Sequence, residues 1–291
     1  MVVMVHGSGA LDFDETVFKN KPFRDIAEGL SGFGVSTLRY HKRNFVYPEP
    51  LHYMEDETIL DALSAIKLAH RYSNNVYLLG HSLGAMLAPI IAHTITKQNH
   101  STDSLQIKGI IMMAAPARDL EEVVREQMDY LLPSGASDSF KQQQIDNIRQ
   151  RSPHYFQSYH QVEVAKDVSL PILILQGERD YQVSMSDFNL WKKALENHQN
   201  ASFHSYPSLN HLFMTGNGKS NPLEYQIEGR VSDETEWPGA LLVYLRSQFP
   251  EDGKPAKQGP PSTASDRSAF RRGIRAEHGW SEAWGWREPV N

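Results

Sequence analysis

The sequence predicts an α/β protein with a mostly parallel central sheet and flanking helices. Two observations carry this: short, almost wholly apolar runs alternate with stretches of helical periodicity, and each run ends in a glycine-containing or polar loop. Strands buried on both faces read in just this way.

Four runs read as core strands: Val2 to Val5, Val76 to Leu79, Ile107 to Met113 and Pro171 to Leu175. Val35 to Leu38 is a weaker strand, and Ser202 to Tyr206 a last short one. Ile59, Leu63, Ile66 and Ala69 fall at helical spacing behind an acidic lead-in, Glu55-Asp56-Glu57, that suits a helix N-terminus. From about 118 to 166 the alternation breaks into two amphipathic patterns, Leu120 to Leu131 and Phe140 to Arg149, followed by Tyr155, Phe156 and Tyr159. An insertion of that size between two sheet strands predicts a helical lid over the strand ends. Residues 1–250 therefore read as one domain, and the Pro-, Gly-, Ser- and charge-rich segment 251–291, with Trp280, Trp284 and Trp286, as a disordered or weakly ordered tail.

Composition narrows the chemistry. The 291 residues include 40% hydrophobic side chains, enough for one large core, and the net charge of -6 shows no nucleic-acid footprint. With no cysteines, a disulfide framework, a thiolate metal site and a cysteine nucleophile are all excluded. No run reaches the roughly 18 apolar residues of a membrane span, and Met1 to Val5 reads as a strand rather than a signal peptide. A cytoplasmic compartment is the default expectation, with an upstream segment left open by the abrupt start. Oligomeric state is not legible.

In open parallel sheets ligands gather at the carboxyl ends of the strands, so the loops after the predicted strands are where chemistry is expected. Gly80-His81-Ser82-Leu83-Gly84 follows the strand at Val76 to Leu79 and leads into a helical stretch, which is the context of a Gly-x-Ser-x-Gly nucleophile elbow. Its glycines answer a steric need, because strand and helix pass close together on either side of a sharply turned serine. His81, at the variable position, reads as structural.

A serine hydroxyl needs a base, and the base needs a carboxylate to hold its tautomer. In chains built on this elbow, acid and histidine follow the serine in that order. Asp180, beyond the Pro171 to Leu175 strand, and His211, after the last strand, meet the requirement. Glu178 and Asp187 are the competing acids; His198 and His204 precede the final loop and read as surface or packing residues. No histidine pair has a metal-site spacing, and neither metal nor cofactor is called for.

Two backbone N–H donors are needed for the developing oxyanion. Leu83, next after the serine, should supply one, and the loop His6-Gly7-Ser8-Gly9 the other, with Ser8 the first choice and Gly7 the second. A phosphate loop would need a Gly-x-Gly-x-x-Gly or Gly-Lys-Ser/Thr spacing that this loop lacks. Met128, Tyr155, Phe156 and Tyr159 are the candidate substrate contacts.

Taken together, His6-Gly7-Ser8-Gly9, Asp12 to Glu15, Asn20 to Leu30, Arg39-Tyr40, Gly80 to Gly84, Ala114-Ala115-Pro116, Leu175 to Val183 and Pro207 to Phe213 resemble bacterial α/β-hydrolase-fold serine esterases related to dienelactone hydrolases and prolyl-oligopeptidase-like peptidases. The resemblance spans about 2–230 and implies hydrolysis of short-chain carboxylic esters through an acyl-enzyme, without a cofactor. The same triad would serve an aminopeptidase, acyltransferase or thioesterase, and a non-catalytic binding module is the alternative from outside enzymology. This sequence departs from the group twice: His41 stands where an aspartate commonly follows Arg-Tyr, and the antiparallel strands that usually precede the His-Gly loop have no counterpart.

Overall fold

The computed structural model describes residues 1–47, 53–98, 105–133, 135–227, 229, 241, 244 and 245. The predicted tail and its tryptophans lie outside them.

Six strands form the sheet: β1 Val2–Val5, β2 Thr37–Leu38, β3 Tyr77–His81, β4 Ile110–Met113, β5 Ile172–Gly177 and β6 Ala201–Tyr206. Their spatial order is β2-β1-β3-β4-β5-β6, and every pairing is parallel. Register runs straight across, Val3 opposite Leu78, Leu78 opposite Ile110, and Ile110 opposite Ile172. β2 forms one edge, and no antiparallel strand adjoins it among the described residues.

The helices are α1 Pro22–Ser31, α2 Arg43–Val46, α3 Leu60–Ala69, α4 Leu83–Gln98, α5 Leu120–Leu131, α6 Asp138–Arg151, α7 Gln161–Lys166 and α8 Met185–Ala194. Because side chains alternate along a strand, Val3, Val5, Leu78, Ile110, Met112, Ile172 and Ile174 pack on one face with Ile66, Ile91, Ala165 and Trp191. Val2, Met4, Leu79, Ile111, Met113, Leu173 and Leu175 pack on the other with Phe23, Ile26, Leu30 and Tyr244. Two cores, one on each face of a sheet whose β1, β3, β4 and β5 are buried throughout, explain why the sequence shows continuous apolar runs there rather than alternation.

The acidic lead-in proves to be more than a helix start. Glu55–Ile59 winds as a π-helical turn ahead of α3, and Glu57 points inward, 2% exposed. The segment predicted as a lid is helical throughout most of its length, comprising α5, α6, a 3₁₀ turn at Pro153–Phe156, and α7. Its two ends are fixed to the sheet domain. Arg118 pairs with buried Asp187 at the start of α8, Nη2 to Oδ2 2.7 Å, and Gln161 Nε2 donates to the carbonyls of Ala117 and Arg118. No described helix is long and apolar enough to cross a membrane.

Candidate active site

The carboxyl ends of β1, β3, β4, β5 and β6 open on one rim, and the rim residues follow from how each strand ends. β3 hands the chain to α4 through one residue, Ser82, whose φ of 52° lies in the left-handed region. A non-glycine residue held there costs on the order of 1–3 kcal/mol, so the surroundings must impose it. They do so by contact. A Cβ on Gly80 would lie 2.3 Å from the carbonyl oxygen of Gly84, and a Cβ on Gly84 would lie 2.2 Å from that of Val5. The backbones of β1, β3 and α4 thus meet without room for a methyl group. Ser82 N donates to the Met113 carbonyl at 2.9 Å, fixing the turn to β4.

β5 ends in Gly177, where a Cβ would sit 2.4 Å from the carbonyl of Leu209. That close passage lets the loop after β6 cross over the loop after β5. Asp180 and His211, both buried, meet across it, with His211 Nδ1 2.7 Å from Asp180 Oδ2. The carboxylate is itself held. Oδ1 accepts from the N–H groups of Gln182 and Val183 at 2.8 and 2.9 Å, and Oδ2 from Gln176 Nε2 at 3.2 Å. Asn210 shapes the histidine loop by accepting from Leu212 N and Met214 N. With Nδ1–H donating to the carboxylate, Nε2 is left as the basic nitrogen of His211.

The competing acids are occupied elsewhere. Asp187 Oδ1 accepts from Ala117 N and Arg118 N, and Glu178 Oε1 accepts from Ser205 on β6. His198 bonds the Val168 carbonyl, and His204 is exposed on β6.

The loop after β1 lies against the serine: a Cβ on Gly7 would be 3.3 Å from Ser82 Cβ. Its two expected donors fare differently. Gly7 N–H is already taken, donating to Glu15 Oε1 at 2.6 Å, so Gly7 is removed as an oxyanion donor. The N–H groups of Ser8 and Leu83 have no protein partner among the described residues.

Behind this loop sits a buried polar network that sequence reasoning missed. Glu15, 1% exposed, accepts from Gly7 N and faces His81 Nδ1 at 3.1 Å, while His81 Nε2 lies 2.8 Å from the carbonyl oxygen of His211. Burial alone would raise the Glu15 carboxyl, but the facing His81 holds it below the usual carboxylate range. Burial would likewise lower His81, and Glu15 outweighs it and raises the imidazole. The two therefore form an ion pair, and His81 joins the nucleophile elbow to the histidine loop. His6 is the contrast: burial lowers it to about 4, so it is neutral and serves as a packing residue against Phe23 and Tyr40.

On the other side of the loop, Lys42 Nζ donates to the Gly7 carbonyl at 2.9 Å and to Glu57 Oε1 at 2.6 Å, with both side chains 2% exposed. Glu57 also receives Tyr155 Oη–H at 2.7 Å and bonds His154 Nε2 at 2.8 Å. Tyr155 Oη in turn accepts from Gly9 N at 3.2 Å. Burial lowers the Lys42 ammonium, partly offset by Glu57; burial would raise Glu57, but Lys42 keeps it below the usual carboxylate range. A lysine and a glutamate outside any apolar pattern give no sequence signal for this. Within the resemblance, Glu15 closes the matching stretch Asp12 to Glu15.

Of the four aromatic and methionine candidates, Tyr155 alone has a contact to the rim loops among the bonds described. Tyr159 Oη donates to the His154 carbonyl, Phe156 packs under Arg149, and Met128 is half-buried on α5. The departure at His41 is accommodated. Its ring stacks on Phe45, and the neighbouring arginines find other acids, Arg39 with Asp14 and Arg43 with Asp61. An open groove of about 1080 Å³ between α7 and α8 is lined by charged residues such as Lys166, Asp167 and Lys193 and contains none of the rim residues.

The profile of the family described as alpha/beta hydrolase fold matches residues 50–215. Esterase EstD of Thermotoga maritima is 40% identical over 251 residues, 79% of this chain and 58% of EstD. This chain thus spans little more than half the length of that relative. Among solved structures, an esterase of Pyrococcus furiosus superposes with a TM-score of 0.55 at 16% identity, covering 86% of this chain and 82% of its own. The proline iminopeptidase of Mycobacterium smegmatis superposes with a TM-score of 0.54 at 13% identity, covering 85% and 89%. At such identities these structures speak for the fold. Together with the family profile and the EstD match, they lead to the conclusion that the chain belongs to the alpha/beta hydrolase fold family.

Proposed function

We propose that this chain hydrolyses short-chain carboxylic esters through an acyl-serine intermediate. The observation that carries the reading is the buried His211–Asp180 pair on the same rim as a left-handed serine between a strand and a helix. The 40% identity to a protein named an esterase supports the same reaction class. The finer kinship with dienelactone hydrolases and prolyl-oligopeptidase-like peptidases rests on the ordered motifs alone.

In this reading Ser82 Oγ attacks the ester carbonyl carbon as His211 Nε2 takes its proton, and Asp180 stabilises the resulting imidazolium. The carbonyl oxygen becomes an anion held by Leu83 N–H and Ser8 N–H. Collapse expels the alcohol, which receives the proton from His211. Water then attacks the acyl-serine by the same route and restores the hydroxyl. Segment 118–166 acts as the lid, with Tyr155 at its point of contact with the Ser8 loop.

The test is turnover of p-nitrophenyl acetate, butyrate and octanoate beside a set of aminoacyl p-nitroanilides, for the wild type and Ser82→Ala. Ester turnover that falls with acyl length and drops by on the order of 10⁶ in the variant is the expected result. Faster cleavage of the anilides would make the chain an aminopeptidase. A wild type inert to every substrate would point to a binding module, and activity retained in Ser82→Ala would remove the serine from the mechanism.

A further inference from the structure

Among the described residues, the Lys42–Glu57 pair is the ion pair outside the steps above whose two charges are both most deeply buried. Both side chains are 2% exposed, an arrangement that costs desolvation at both ends and is weak evidence for stability in its own right. What Lys42 touches gives it a purpose. Its ammonium donates to the carbonyl oxygen of Gly7, and that carbonyl shares one peptide unit with the N–H of Ser8. The unit is planar and trans, so its C=O and N–H point in opposite directions. Fixing the oxygen on Lys42 therefore fixes the direction of the Ser8 N–H.

The neighbouring bonds act on the same point. Glu15 holds the preceding N–H, at Gly7, and Tyr155 holds the following one, at Gly9. Among the described residues Ser8 N–H has no protein partner, and it lies between two tethered amides. The Lys42 hydrogen bond on the oxygen side of that peptide polarises it and makes the N–H a stronger donor. Glu57 sets Lys42 in place, and Tyr155 and His154 join Glu57 to the helical segment 118–166.

We propose that Lys42 is a positioning residue for the oxyanion hole, aiming and polarising the Ser8 N–H through the Gly7 carbonyl, with Glu57 as its anchor. The inference rests on the esterase reading, since it assigns Ser8 N–H to the oxyanion. Without Lys42 the Gly7–Ser8 peptide can rotate and present its carbonyl to the serine, which would repel a developing negative charge.

The experiment compares wild type, Lys42→Met and Lys42→Met/Glu57→Gln, the last of which leaves no unpaired buried charge should the single variant fail to fold. Turnover of p-nitrophenyl butyrate is normalised to titrated active sites. Binding of an alkyl trifluoromethyl ketone is measured in parallel. The ketone accepts the Ser82 oxygen at its carbonyl carbon, its oxygen becomes an oxyanion, and the serine proton passes to His211. Loss of one oxyanion donor lowers kcat by on the order of 10²–10³. We expect a fall of about a hundredfold in kcat, little change in KM, and a matching loss of ketone affinity. A purely structural lysine would lower the number of titratable sites and leave the ketone constant of the remaining sites unchanged. A folded variant with wild-type kcat and wild-type ketone affinity overturns the Lys42 assignment while the esterase reading stands. Should the wild type hydrolyse no ester and bind no ketone, both fall together.

Discussion

Gly84→Ala tests the elbow through a change whose sign is decided by tertiary contact. Gly84 lies in the first turn of α4, and by local propensity alone alanine would stabilise a helical position by about 1 kcal/mol. The packing argues the other way. The new Cβ would lie 2.2 Å from the carbonyl oxygen of Val5, 2.6 Å from that of His6 and 2.7 Å from the carbonyl carbon of Val5. Ordinary contact begins at 3.4 Å, so α4 must move away from β1 by about 1 Å, and the obstructing atoms are sheet backbone that cannot swing aside. Overpacking of this kind costs ~1–3 kcal/mol or somewhat more. Less the propensity gain, the net loss is about 1 kcal/mol, which for a domain of this size lowers Tm by roughly 2–4 °C. Because Ser82 is carried on that junction, a displacement of about 1 Å should also cost on the order of 10² in kcat. Urea unfolding with ester turnover reads both quantities. Gly29→Ala, on an exposed position of α1 where an added Cβ meets nothing, is the internal control and should gain about 0.5–1 kcal/mol. A Gly84→Ala protein as stable and as active as wild type would refute the close approach on which the elbow depends.

Asp180→Asn should keep the fold and lower kcat by about 10⁴, because the amide cannot hold His211 in the productive tautomer; a change of less than tenfold would transfer the role to another acid. Glu15→Gln should destabilise in a pH-dependent way. Glu15 is depressed from its ordinary 4.5 and loses its contribution as pH falls through the depressed value, whereas His81 is raised from 6.5 and loses its contribution as pH rises through the raised value. The Tm gap between wild type and variant should accordingly be widest between about pH 4.5 and 6.5 and narrow on both sides, and a gap independent of pH would exclude the ion pair. Arg118→Met, which leaves the fully buried Asp187 without its cation, should cost about 3 kcal/mol in urea unfolding, and a loss under about 0.5 kcal/mol would show that the backbone N–H donors suffice for that carboxylate.

Strand positions were legible because a parallel sheet covered on both faces demands continuous apolar runs, and Val2–Val5 appears in the structure with the bounds its sequence suggests. The run Ile107 to Met113 begins three residues ahead of β4, which starts at Ile110; apolar character extends beyond the first paired residue, and periodicity cannot mark where pairing starts. Ser82, Asp180 and His211 could be proposed because the elbow has a steric signature and its partners a fixed order. The network around Glu15, Lys42, Glu57 and His154 could not. Its members are brought together over separations of up to 97 residues, they lie in no hydrophobic pattern, and the charge of Glu57 suggested a helix dipole partner instead of a buried counter-ion. Gly7 illustrates the same limit: its small size fitted a backbone donor, but which amide of the loop is free depends on where the Glu15 side chain reaches.

The most direct test of the account is fluorophosphonate labelling of the intact chain, with the adduct located by mass spectrometry. A single modification on Ser82, abolished in Ser82→Ala and slowed by several orders of magnitude in His211→Ala, is what the account predicts. A folded protein that takes up no label, or carries it on any other residue, would contradict it.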